Sequence, residues 1–268
     1  MARVAGRPTL LLVSLAAFAS GMAMIVACGS FGATESAADA APSDALLTET
    51  SGDGGTCPRN AFCDSFDDDA ALPRAWPGQK VMGGATLNRL SSVGVDGTGG
   101  LLATILSNGA GQVARLDYNL KSGPAAYDAV IGFSAFVNLT TDGVVLGPRF
   151  QVTNAVGERN LSVTFKKGLV RLDPNKCDAG DCNLPNNESA ISPGWHRYDL
   201  TLSVRPEGTS PGSTYELLVD GVSVVNMPLP LLMSSPTSFG LSFGVTFASG
   251  TAAGTLFFDD ASFLVTPR

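Results

Sequence analysis

The sequence has 268 residues, of which 15% are charged, with 31 glycines, 16 prolines and a formal net charge of −7. This acidic balance disfavours nucleic acid and anionic lipid headgroups as partners, because Lys and Arg supply most of the affinity for phosphate. A β-sandwich of about 200 to 250 residues commonly forms one domain, so a single globular domain with tails is predicted.

The N-terminal segment has the pattern of an export signal. Arg3 and Arg7 precede an apolar run that ends in small residues directly before Cys28. The pattern resembles the lipobox of bacterial lipoproteins. That resemblance implies removal of residues 1–27, lipidation of Cys28 and attachment to the cell envelope, at the outer membrane. An uncleaved transmembrane helix is the alternative, although the run is near the lower length limit for spanning and contains polar residues.

Residues 28–56 have a different composition. The segment after Cys28 carries five acidic residues, no basic residue and no aromatic residue beyond Phe31. Such a composition buries too little apolar surface to offset the conformational entropy of the chain. A disordered tether is therefore predicted between the lipidated cysteine and the domain.

The segment from Cys57 to the C-terminus consists of short alternating runs separated by turn residues. This texture predicts an all-β domain over 57–268, with two antiparallel sheets packed as a sandwich. In the strand predicted at 238–248, Leu241, Phe243, Val245 and Phe247 alternate and would face the core. The predicted strands are 61–66, 80–90, 100–107, 112–119, 129–139, 143–152, 160–166, 168–172, 195–204, 214–219, 222–227, 238–248 and 254–265.

One strand and one hairpin resemble a known fold family. A Gly-Trp-His-Arg-Tyr run at 194–198 is followed about twenty residues later by Tyr-Glu-Leu-Leu-Val-Asp-Gly, in which Asp220-Gly221 suits a tight turn. This pair resembles the laminin-G-like and concanavalin A-like jelly rolls. The resemblance implies a jelly-roll sandwich, and it leaves open whether the domain is an adhesion module, a carbohydrate-binding module or a glucanase relative.

Four cysteines follow Cys28 in two closely spaced pairs. In an exported chain they predict disulfides, for which the local pairing is Cys57 with Cys63 and Cys177 with Cys182. A zinc site is the alternative, although its ligand pairs are usually spaced more tightly.

Four acidic residues near the ends of the domain form a candidate metal site: Asp64, Asp67, Asp259 and Asp260. In several jelly-roll carbohydrate-binding modules the first and last strands are neighbours, and acids in similar positions hold structural calcium. The resemblance therefore implies a calcium site here, since calcium requires clustered oxygen ligands. The alternative is two polar strand ends that happen to meet.

Catalytic signals are sparse. His196 is the only histidine, and strand alternation puts it on the core face, where a hydrogen-bonded packing role is expected. The paired-carboxylate runs of the glucanase relatives are absent. Arg115-Leu-Asp117-Tyr-Asn119 loosely resembles a strand of alginate lyases, whose companion motifs are missing. The sequence therefore predicts a domain without catalytic activity.

A ligand could bind on the sheet faces turned away from the core. Planar polar side chains and an aromatic platform suit a sugar, and the candidates are Trp195, Arg197, Asp199, Arg149 and Gln151. We expect a lipid-anchored envelope protein that binds an extracellular glycan or an envelope protein and touches the membrane only through its lipid. The alternatives are a purely structural or adhesion lipoprotein and a polysaccharide-degrading enzyme.

Overall fold

A computed structural model describes residues 57–67, 72, 75–107, 109, 111–175, 188–231 and 233–268. All of them belong to the second of two units of the chain, Leu47–Arg268. The predicted signal peptide, the lipidated Cys28, the tether and the Cys177–Cys182 pair lie outside the described residues. Within those ranges no helix is long and apolar enough to cross a membrane.

The described residues form fifteen strands in two antiparallel sheets and contain no α-helix. The prediction of an all-β, two-sheet antiparallel sandwich is confirmed. The strands are β1 Phe62–Asp64, β2 Gly78–Met82, β3 Thr86–Leu90, β4 Gly100–Ile105, β5 Gln112–Lys121, β6 Tyr127–Leu139, β7 Val145–Asn154, β8 Gly157–Lys166, β9 Leu169–Asn175, β10 Glu188–Ala190, β11 Trp195–Val204, β12 Thr214–Val219, β13 Val222–Pro228, β14 Ser238–Ala248 and β15 Gly254–Pro267.

The strand order differs from the chain order in both sheets. The first sheet has the order β13-β12-β11-β6-β15-β4-β3, with β1 paired to β15, and the second has the order β10-β9-β8-β7-β14-β5-β2. The last two long strands, β14 and β15, thus lie in the interior of the second and first sheet respectively, with paired strands on both sides. Residues distant in the chain are thereby brought together on each sheet face.

Two details of the predicted strands needed correction. The strand predicted at 80–90 is two strands in different sheets, because Gly83 and Gly84 adopt φ angles of +69° and +80° and turn the chain. The three-residue strand β10 was not predicted, since a segment this short shows no alternation.

The core lies between the inner faces of the sheets. Phe133 of β6 and Tyr198 of β11 stack with their ring centroids 5.1 Å apart. Phe243 of β14 and Phe258 of β15 join the two sheets with a centroid separation of 5.4 Å. Strands such as β11 bury alternate residues, so each sheet keeps one face turned away from the core, which we call its open face.

The start of the domain is fixed to its end. Residues Phe62 and Cys63 of β1 pair with Phe263 and Ser262 of β15. The disulfide between Cys57 and Cys63 is present, which confirms this half of the predicted pairing.

Candidate functional site

The open face of the second sheet has a central strand with almost no side chains. Gly240, Ser242 and Gly244 of β14 point to this face, because the residues between them are buried in the core. The strands on either side carry longer groups in register with them, namely Asp117 and Arg149 opposite Ser242. We call the strip of the open face along β14, between β5 and β7, the trough. Side chains of both neighbouring strands reach over it, since Asn119 and Gln151 lie within 4 Å of the Cβ position of Gly240 and Ser242 is 4% exposed.

A hydrogen-bonded chain crosses the floor of this trough. Nη2 of Arg149 donates to Oγ of Ser242 at 3.3 Å, and this hydroxyl donates to Oδ1 of Asp117 at 2.7 Å. On the far side, Nε of Arg115 lies 2.9 Å from Oδ1 of Asp117. The Asp117 carboxylate therefore contacts Arg115 directly and reaches Arg149, across the central strand, through the hydroxyl of Ser242.

The charge of the trough is opposite in sign to that of the whole protein. Burial, followed by the positive charge of Arg115, lowers the pKa of Arg149, although its guanidinium remains charged. Lys80 of β2 pairs in register with Arg115 and lies on the same face. Lys80, Arg115 and Arg149 thus lie on this face against the carboxylates of Asp117 and Glu158, the second of which also acts on Arg149, in a protein of net charge −7. This local excess of positive charge favours an anionic ligand.

Several buried polar atoms of this face have no partner among the described residues. They are Nε of Arg149, Oδ1 of Asn160 and Oγ1 of Thr164. Asn160 pairs in register with Gln151, and Thr164 with Leu146, so the three atoms belong to one face. Buried polar groups in folded proteins nearly always have partners, and leaving one unpaired costs about 1–3 kcal/mol. A ligand or ordered water in the trough could supply those partners.

Two β-bulges lie side by side at one end of the trough. In β14, Thr246 and Phe247 oppose the single residue Val113 of β5. In β7, Gly147 and Pro148 oppose the single residue Val163 of β8.

The bulge in β14 corrects the predicted orientation of Phe247. Its side chain was expected in the core but is 43% exposed, and it pairs in register with Leu146 on the open face. The extra residue reverses the alternation, and hydrogen bonds from Oγ1 of Thr246 to the carbonyls of Leu146 and Gly147 hold the bulge in place.

The five predicted ligand residues do not form one cluster. Arg149 and Gln151 lie on the open face of the second sheet, on β7. Trp195, Arg197 and Asp199 lie on β11, on the open face of the first sheet.

Arg197 is already well satisfied on the first sheet. Its Nε is 3.1 Å from Oδ1 of Asp199, and its Nη1 donates to the carbonyl of Asp260 at 3.0 Å. The sequence pattern does not show that Arg115 and Asp117 lie near Arg149, because their proximity depends on the order of the strands in the sheet.

His196 joins two loops. Its Nδ1 lies 2.6 Å from Oδ2 of Asp220, and its Nε2 lies 2.9 Å from the carbonyl of Ser192 and 3.2 Å from its hydroxyl. Burial of the ring lowers its pKa, but the hydrogen bonds to Asp220 and Ser192 outweigh this and raise the pKa above the ordinary value. A protonated ring can donate to both partners, which fits the predicted packing role.

The four acids predicted to bind calcium are only partly brought together. Asp64 uses one oxygen for the amide of Phe66 and the other for Nε1 of Trp76, at 2.9 and 2.8 Å. Asp259 is 2% exposed, and both of its oxygens accept amide hydrogens. Burial raises the pKa of Asp259, and the nearby charges of Asp260 and Asp67 raise it further.

The fit of this site to a metal ion is poor. Among the described residues, no group of three or more His, Cys, Asp or Glu side chains is arranged to hold a metal ion. Calcium binding stays a prediction.

Comparisons with known proteins identify the fold. No family model and no curated protein matches the chain. The endo-β-1,4-glucuronan lyase of the fungus Trichoderma reesei has a similar structure, with a TM-score of 0.54 and 14% identity over 77% of this chain and 95% of the lyase. The cellulose induced protein, Cip1, gives a TM-score of 0.51 and 13% identity over 77% of this chain and 97% of that protein. The chain thus has the jelly-roll fold of these proteins.

One prediction is overturned by this comparison. A domain without catalytic activity was predicted from the sequence because the paired-carboxylate runs of the glucanase relatives were absent. A lyase has the same fold over 95% of its own length. The absence of those runs therefore does not exclude an enzyme, and the earlier conclusion was wrong.

Proposed function

We propose that this chain is an exported bacterial lipoprotein whose jelly-roll domain binds an acidic polysaccharide in the trough of the second sheet. The observation that carries the proposal is the pair Arg115 and Arg149, which face one trough with a single carboxylate, Asp117, between them. The carboxylate of a uronate residue could pair with the Arg149 guanidinium through a charge-assisted hydrogen bond. Its Nε is buried and has no partner among the described residues, so the side chain would have to shift to use that donor.

The shape of the trough suits an extended polymer. Between Gly240 and Gly244 the central strand presents only glycine and serine to this face, so a polymer lying along it would contact the side chains of the two neighbouring strands. Polar groups from the neighbouring strands line both sides, as in sites that fix the orientation of a sugar. The two structures of similar fold, a glucuronan lyase and a cellulose induced protein, are compatible with a polysaccharide ligand.

Binding of polyuronates tests this proposal. We would measure the affinity of the full chain in mild detergent for glucuronan, polygalacturonate and alginate oligomers, with a neutral cello-oligomer of equal length as control. The uronates should bind more tightly than the neutral oligomer. Raised salt should weaken uronate binding, because it screens the attraction between the carboxylates and the arginine side chains. Equal affinity for the neutral oligomer would contradict the proposal.

A second candidate function is cleavage of the same polymer by elimination. In that reaction a base takes the proton from carbon 5 of a uronate, the bond between carbon 4 and its oxygen breaks, a double bond forms between carbons 4 and 5, and the departing oxygen takes up a proton. Asp117 reaches Arg149 through the single hydroxyl of Ser242, so a carboxylate base and a carboxylate-binding cation are adjacent.

The variant Asp117→Asn separates binding from cleavage. It keeps a hydrogen-bonding side chain but removes the base and one negative charge. We expect polyuronate affinity to be kept or raised while the ultraviolet absorbance of the unsaturated product is lost. Product formation by Asp117→Asn at the wild-type rate would rule out Asp117 as the base.

The cellular location is part of the proposal. Cys28 follows the apolar run and small residues that precede lipidated cysteines, which supports a lipid anchor in the cell envelope. Replacement by Cys28→Ser should release the protein from the membrane fraction. Unchanged recovery in that fraction would contradict lipid anchoring.

A further inference from the structure

An apolar strip crosses the open face of the second sheet beside the charged trough. It consists of Met82, Val113, Leu146 and Phe247, contributed by β2, β5, β7 and β14. Met82 pairs in register with Val113, and Leu146 pairs with Phe247. Met82 and Phe247 are 49% and 43% exposed, whereas Val113 is 8% exposed. The strip therefore exposes apolar surface at Met82 and at the Phe247 ring, with Val113 nearly buried between them.

The strip exists because of the two adjacent bulges. Without the extra residue in β14, the alternation that buries Phe243 and Val245 would also bury Phe247. Each bulge gives up regular ladder pairing, and such irregularities commonly re-aim a side chain. Here they turn a phenylalanine out of the core and toward water, which costs burial energy in the free protein. A ligand that covers Phe247 would recover that energy.

The strip adjoins the charged part of the trough. Val113 is two residues along β5 from Arg115, and a β-strand rises about 3.3 Å per residue, so the apolar and cationic rows are about 7 Å apart. A polymer lying along the trough would therefore contact both rows at once.

We propose that Phe247, flanked by Leu146 and Val113, is a stacking subsite for the apolar face of a pyranose ring of the bound polysaccharide. This inference rests on the proposed function of the trough and adds a second kind of contact to it. The arginines would hold the carboxylate of one sugar, and the phenylalanine ring would pack against the C–H groups of a neighbouring sugar. Recognition would then require an acidic group and an exposed ring face at a fixed spacing.

The test uses Phe247→Ala and Phe247→Trp in the full chain, with a glucuronan oligomer as the probe. Phe247→Ala should weaken binding about three- to tenfold, because an aromatic contact of this kind contributes modestly beyond its buried area. The salt dependence of binding should stay unchanged, because no charge is removed. Phe247→Trp should restore affinity, and its fluorescence should change when the oligomer binds. The matched control is Phe257→Ala, which removes a half-buried ring from the open face of the first sheet.

The outcomes separate this inference from the proposed function. If the wild type binds glucuronan and Phe247→Ala binds it equally well, the stacking subsite is refuted and the charged trough survives. If the wild type binds only the neutral cello-oligomer, and Phe247→Ala loses that binding, the subsite is supported and the preference for an acidic polymer fails. If no oligomer binds the wild type, both are overturned.

Discussion

The open faces of the two sheets differ in how fully their arginine side chains are hydrogen-bonded within the fold. On the first sheet, Arg197 is held by the carboxylate of Asp199 and the carbonyl of Asp260, so its donors are used within the fold. On the second sheet, Arg149 has a buried Nε that finds no partner among the described residues, and it faces another cation, Arg115. Both faces are rich in polar groups, so the two faces cannot be distinguished by the alternation of polar and apolar residues in the sequence. The number of unused hydrogen-bonding groups distinguishes a stabilising face from a binding face.

This comparison predicts that substitutions on the first sheet change stability and that substitutions on the second sheet change binding. The largest expected effect concerns Asp259 of β15. Burial raises its pKa to about 7, with added effects of the charges on Asp260 and Asp67, although the amide of Val95 opposes the shift. The raised pKa shows that the fold prefers the protonated acid.

The sign of the pH dependence follows from this preference. The stabilisation from Asp259 is complete below about pH 4 and is lost as the pH rises toward 7, because the unfolded acid ionises first. The free energy of unfolding should fall by about 4 kcal/mol at most across this interval. The variant Asp259→Asn should flatten the curve obtained by denaturant titration, whereas the exposed Asp142→Asn should leave it unchanged.

The same variant tests the predicted calcium site. An ion bound at Asp259 would favour the ionised acid and should raise the wild-type melting temperature above pH 7, but not that of Asp259→Asn. A melting temperature that calcium and EDTA leave unmoved would contradict the prediction.

The next largest effect is expected on ligand affinity. Replacing Arg149 by Ala should weaken glucuronan binding about tenfold to a hundredfold, as expected for the loss of a hydrogen bond to a charged group. The matched variant Arg197→Ala should alter affinity less than about twofold but should lower the melting temperature. Calorimetric titration and thermal unfolding of both variants measure the two effects. Lost affinity in Arg197→Ala together with unchanged affinity in Arg149→Ala would contradict the assignment of binding to the second sheet and stability to the first.

The smallest effect is expected at His196. Its pKa is raised, so the stabilisation that it contributes is present at low pH and is lost as the pH rises through that pKa. His196→Gln should cost about 1 kcal/mol or less, since its partner Asp220 is largely exposed to water. The cost should be larger at pH 6 than at pH 8. Lost polyuronate binding in His196→Gln would instead indicate that the first sheet contributes to the site.

The sequence predicted the sandwich well, because burial on one face of each strand leaves a period of two in the chain. Strands such as β6 and β11 show this pattern with few exceptions. The pattern gives the wrong orientation where a strand contains a bulge. At Phe247 one extra residue reverses the alternation, and nothing in the sequence indicates that residue.

The site could be predicted only in part. Arg149 and Gln151 were recognised as open-face residues, and Arg115 and Asp117 as part of a strand that loosely resembles one of alginate lyases. Their assembly into one trough depends on β14 lying between β5 and β7, a long-range pairing that local periodicity does not encode.

The short strand β1 has a mechanical consequence in a chain held by its N-terminal end. Tension would enter the domain at Cys57, and the disulfide would carry the load directly to Cys63, past the residues between them. Cys63 is paired with Ser262 of β15, a strand bonded to β6 and β4 on its two sides. A pull on the anchor would therefore be borne by the middle of the first sheet, while the trough of the second sheet stays outside the line of force.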